Sequence, residues 1–79
     1  SEENYGSAAA AYERLLDTYG RFAEREQVQL ILALIYTRYL NRSDRARELL
    51  NAVKDRVEQP QHKNLVQQLL NETSTDNSS

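Results

Sequence analysis

The stretch from Val28 to Leu40, VQLILALIYTRYL, leaves the chain few ways to fold. Val28, Ile31, Leu32, Ile35, Tyr36 and Tyr39 recur at the steps of three and four that put side chains on one face of a helix. Leu30, Ala33, Leu34 and Leu40 widen that stripe well past half of the circumference. A helix apolar on most sides is buried between neighbours, so the helix predicted over about residues 23–40 is the central one. Its longest unbroken apolar run, Leu30–Tyr36, holds seven residues. A membrane span needs about 20, so the neighbours have to be protein.

Those neighbours are also helices. The 79 residues include two glycines, one proline and no cysteine, too few turn formers for an all-β fold and nothing for a disulfide or thiolate staple. Helix 1 is predicted over about 3–19 from the stripe Tyr5, Ala8, Ala9, Tyr12, Leu15, Leu16 and Tyr19, with Gly20 as a left-handed stop. Ser43 or Asp44 is placed to cap helix 3, about 44–57, which carries Ala46, Leu49, Leu50, Val53 and Val57 on one side. Pro60 suits the first turn of helix 4, where its missing N–H costs nothing. Leu65, Val66, Leu69 and Leu70 then give that helix a buried face, with its end at about Glu72. The polar tail, 73–79, has nothing to bury and is expected to be disordered. The expectation is all-α: four helices with short connections, packed as antiparallel neighbours in one domain, 1–72. So small a chain buries only about 60% of its unfolded surface, and the core is thin. No methionine stands at the start, so the chain is read as an excised piece of something longer.

A phrase recurs inside this pattern. Leu15-Leu16 in AYERLLDTYGRF returns as Leu49-Leu50 in RARELLNAVKDR, 34 residues on. Helical repeats reuse packing positions in this way because one hairpin cannot cover its own apolar face. The chain here resembles the tetratricopeptide (TPR) family. Ala8–Gly20 looks like the second helix of one repeat, and LALIYTRYLNRSDRARELLNAV like both helices of the next. Ala33 stands for its small residue, Tyr36 for its aromatic, Ala46 for its second-helix alanine and Leu50 for the large apolar residue after it. The pattern departs at Gly20, where proline is usual, in the absent early tryptophan, and in a helix 2–3 loop about one residue longer than the consensus. Anchored on Ala8 and Ala46, the spacing is 38 residues. Over residues 5–57 the resemblance implies a half-repeat, a full pair and a capping fourth helix, stacked right-handed. Short TPR-like pieces are appended to larger bacterial proteins, including membrane proteins such as rhomboid-type proteases, and YERLLDTYGRF resembles that style.

Chemistry finds little to stand on. Nucleophilic catalysis needs a nucleophile beside a base, and the only histidine, His62, lies in a first helical turn while Ser7 and Ser43 have ordinary helix and cap roles. Glu58 and His62 are four apart but interrupted by Pro60, with no further ligand to complete a metal set. Glu24 and Glu26 point to different sides of a helix. The expectation is a non-enzyme without cofactor or metal. Asn41, Asn71 and Asn77 begin N-x-[ST] triplets, for which chance is sufficient explanation.

Charge and tyrosine supply the binding candidates. Residues 1–26 balance at −3, 38–56 at +3 and 57–79 at −2. Arg38, Arg42, Arg45 and Arg47 could form a basic knuckle for an anionic surface. A solvated face laced with local ion pairs is the favoured reading, because surface charge runs usually do little. Nucleic acid is not expected, for want of stacking aromatics on that patch. Tyr5, Tyr12 and Tyr19 repeat every seven residues along helix 1. Tyrosine is a good interface anchor, although Tyr12 and Tyr36 match packing positions. The expectation is a protein-interaction module, cytoplasmic, docking a peptide, helix or neighbouring domain on helices 1 and 2 through Tyr5, Tyr12, Tyr19 and Leu30. A homo-oligomerisation domain, with a second copy as partner, and an adaptor working through Arg38, Arg42 and Arg45 are the alternatives.

Overall fold

The computed structural model describes residues 2–20 and 24–76. They form four helices, α1 Glu2–Thr18, α2 Arg25–Arg38, α3 Ser43–Val53 and α4 Pro60–Asp76, with no strand among the described residues. The chain is all-α, as the periodicity requires. α2 is the element the others share: it packs against α1, α3 and α4, and α3 also packs against α4. Among the described residues α1 has no close backbone approach to α3 or α4. The backbone forms a slab, 37 × 31 × 17 Å, about two helix layers thick, since packed helix axes lie about 8–10 Å apart.

The core sits where α2 meets α3 and α4. Leu32, Ala33, Ala46, Leu50, Val53 and Leu69 are fully enclosed, and Ala9 and Leu16 bring α1 into the same cluster. Two buried threonines fit there because each satisfies its own hydroxyl within its helix. Thr37 Oγ1 donates to the Ala33 carbonyl at 2.7 Å, and Thr73 Oγ1 to the Leu70 carbonyl at 2.8 Å.

The connections differ from the sequence reading in four places. α1 ends at Thr18, and Gly20 behind it has no positive φ, so no left-handed stop is made there. The left-handed residue is Asn41, φ 55°, at the corner between α2 and α3. Asparagine tolerates that region better than most residues. Around it Leu40 N–H donates to the Ile35 carbonyl and Arg42 N–H to the Tyr36 carbonyl, satisfying two of the four end carbonyls of α2. α3 begins at Ser43 itself, with Arg42 in the cap position and no side-chain cap bond from it. It stops at Val53, four residues before the expected end, yet Val57 is still buried, held by a bond from its N–H to the Val53 carbonyl. Pro60 opens α4 as expected. That helix runs past Glu72 to Asp76 because Thr73 is enclosed at 0% exposure. The first part of the expected disordered tail is therefore helix, and 77–79 lie outside the described residues.

Candidate functional site

Glu13, midway along α1, is the strongest polar contact between helices. Its Oε2 accepts from the Tyr36 hydroxyl at 2.9 Å and from Arg45 Nε at 2.8 Å, while Oε1 accepts from Arg45 Nη2. Arg45 Nη1 reaches Glu48 Oε1 at 3.0 Å on its own helix. A forked guanidinium meeting a carboxylate with both arms is a charge-assisted geometry. Here it joins α1 to α3, which have no close backbone approach of their own. Hydrogen bonding to Arg45 holds the Glu13 carboxyl below the usual carboxylate range, against the upward pull of partial burial. Burial, then the bond to Glu13, pushes the Tyr36 hydroxyl above the ordinary tyrosine value.

A second fork joins α2 to α4. Arg38 donates through Nε and Nη2 to the two Glu72 oxygens at 3.2 and 2.8 Å, and these bonds lower the Glu72 carboxyl. Arg42 only approaches Asp44, at 3.9 Å and in full solvent. Of the four arginines expected to form a basic knuckle, Arg38 and Arg45 are thus engaged within the fold, Arg42 is loosely placed, and Arg47 is exposed with no ion pair among the described residues. Part of the charge run is tied into ion pairs and part is open to solvent.

The tyrosines divide. Tyr5 stacks on Tyr39 with ring centroids 3.9 Å apart and planes within 5°, joining the two helices at one end. Hydrogen bonding with the Tyr39 hydroxyl raises the Tyr5 hydroxyl above its ordinary value. Tyr12 is half-buried against the core. Tyr19 is 58% exposed just beyond α1, beside a shallow depression lined by Ala11, Arg14 and Leu15. Leu30 is not where an interface residue needs to be. It is 2% exposed, and the neighbouring Ile31, at 44%, carries the open apolar surface of α2. The stripe on α2 is so wide that its sequence could not say which member lies uncovered.

Two clefts flank α2. Between α2 and α4, Leu30, Ile31, Leu34 and Leu65 with Gln27 and His62 line an apolar groove of about 220 Å³. It runs across Gln27 and His62 into a polar groove of about 210 Å³ that includes Glu26 and Glu58. Glu58 and His62 therefore do come to one groove, but no group of three or more potential ligands that could hold a metal is found among the described residues. On the other side, α1, α2 and α3 enclose a polar cleft of about 270 Å³. Gln29 lines it, is 6% exposed, and its Oε1 has no hydrogen-bond partner. This residue was passed over in the sequence, although a glutamine set between Val28 and Leu30 in an apolar run was the available signal.

Among the described residues no helix is long and apolar enough to cross a membrane. No family model matches the chain, and no curated protein or solved structure does either.

Proposed function

We propose that the chain is a non-catalytic protein-interaction module, built as TPR-like helical hairpins, whose partner segment docks in the apolar groove between α2 and α4. The observation that carries this reading is Ile31, 44% exposed at the edge of a groove lined by Leu30, Leu34 and Leu65. Large apolar side chains left open beside a concave surface are common features of protein-binding sites. The 34-residue return of the double leucine supports the repeat character. So does the packing of α2 on both α3 and α4, since stacked hairpins share their neighbours in this way.

The groove takes the place of the α1–α2 flank as the docking surface, because Leu30 lies at the floor instead of on that flank. Selection from a peptide display library tests the reading, with Ile31→Arg as the counter-selected variant. Peptides that bind the parent and lose at least about tenfold in affinity on Ile31→Arg are expected, the loss of roughly one buried anchor. Failure of every selected peptide to discriminate the two would refute it. A second copy of the chain is the other occupant that Ile31 allows. Sedimentation equilibrium of parent and variant identifies it by a dimer that Ile31→Arg abolishes.

A further inference from the structure

The four helices share their contacts unevenly. α2, α3 and α4 form a closed set in which each packs against the other two, whereas α1 packs against α2 alone. Lifting α1 away leaves each of the other three still packed on two helices. The fully enclosed Ala33, Leu50, Val53 and Leu69 all lie on those three. The hold on α1 is slighter. Among its side chains whose burial is described, only Ala9 and Leu16 are buried, and Tyr5, Ala8, Tyr12 and Leu15 are partly covered. Its polar ties are within reach of water. The Glu13 and Arg45 side chains are 30% and 35% exposed, and Tyr39, on which Tyr5 stacks, is 42% exposed. Arg25 Nη1 adds bonds to the Leu16 and Tyr19 carbonyls at 3.3 and 3.5 Å. Water replaces the partners of exposed charged groups at little cost, so a few apolar contacts set the free energy of separation.

We propose that α1 is a releasable strap, which opens as one unit while α2, α3 and α4 stay folded. Small single domains ordinarily unfold in one step, because each element needs the others. Here three helices do not need the fourth, the condition for a sub-global opening. Release uncovers the α2 face that carries Tyr36 and Tyr39, the partners of Glu13 and Tyr5. Val28, Leu32 and Ile35 lie one or more turns before them on that face and are buried in the closed protein. A partner for this face meets it only in molecules whose strap is open, so its apparent affinity is reduced by that fraction. The α2/α4 groove is built from other α2 residues, Leu30, Ile31 and Leu34, and the strap does not depend on it.

The test is native-state hydrogen exchange of the ¹⁵N-labelled chain at a series of sub-denaturing urea concentrations. Relative to their intrinsic rates, the amides of residues 12–16 should exchange at least about a hundredfold faster than those of Leu50 and Val53. They should share one urea slope, above zero but smaller than the slope of Leu50 and Val53, because release exposes only part of the surface that unfolding exposes. Val66→Ala supplies a second arm. Val66 is 4% exposed on α4, which has no close backbone approach to α1. Its truncation raises the closed and strap-open forms alike, so exchange at Leu50 and Val53 should quicken by about tenfold. Exchange at residues 12–16 should stay as it was. Equal quickening in both sets would overturn the proposal, as would a shared slope with Leu50 and Val53, since either marks one cooperative unit. A slope of zero at residues 12–16 would also overturn it, because α1 then frays residue by residue and has no released state.

Discussion

α1 and α3 reach the same core by different means. α3 has 11 residues and places Ala46, Leu49, Leu50 and Val53 at 3% exposure or less. α1 has 17 residues and, among those whose burial is described, buries only Ala9 and Leu16, at 3% and 8%. The reason lies in their neighbours: α3 is wedged between α2 and α4, whereas α1 leans on α2 alone. A stripe with one neighbour is half covered. The α1 stripe is accordingly written with tyrosines, whose polar tips tolerate an edge, and its grip on the rest is reinforced by the Glu13–Arg45 fork. Length along a helix is thus a poor guide to how firmly it is held. The number of partners on its apolar face is the better one.

The sharpest way to break this contrast is to remove equal amounts of side chain from both helices. Leu50→Ala should cost about 2–5 kcal/mol, the usual range for an enclosed leucine. Leu15→Ala on the half-covered face of α1 should cost about 1 kcal/mol. Equal losses in urea unfolding would mean that α1 is as deeply anchored as α3. The polar ties come next. Glu13→Gln should cost about 1 kcal/mol, moderated by solvent since both partners are about a third exposed. Glu72→Gln, on helices that already pack directly, should cost less. Both carboxyls lie below their ordinary values in the fold. Their contribution is therefore complete above the unfolded carboxylate value of about 4.3 and is lost as pH falls through the lower folded values. Urea unfolding at a series of acid pH values should show a flatter acid limb in Glu13→Gln than in the parent. The smallest effect sharpens the contrast from the opposite side. A methyl added at Gly6 in α1 meets nothing within 4 Å. Gly6→Ala should stabilise the protein by about 0.5–1 kcal/mol through helix propensity alone. A loss there would show that α1 is more tightly covered than its exposure suggests.

Helix number, helix type and the central place of α2 were legible in the sequence, because apolar spacing reports directly on which faces are covered. Pro60 at the start of α4 was legible for the same local reason. Positions decided by the path of the chain were not. Gly20 has the right chemistry for a left-handed stop, but the corner that needs one lies at Asn41. Thr73 is small and polar in the sequence, and only packing shows that it is enclosed and extends α4 by another turn. The candidate surface was legible in part. An over-wide apolar stripe on α2 leaves some apolar side chain open, but Leu30 and Ile31 are adjacent and equally apolar, and only the packing of the neighbouring helices decides between them. Arg38 and Arg45 could not be assigned partners because Glu72 and Glu13 lie more than thirty positions away in sequence.

α2 touches every other helix. Gln29 looks into the polar cleft and Ile31, two positions on, borders the apolar groove. The helix is a party wall between two rooms. Residues two positions apart on one helix therefore line two separate clefts, and neither cleft has a wall of its own on that side.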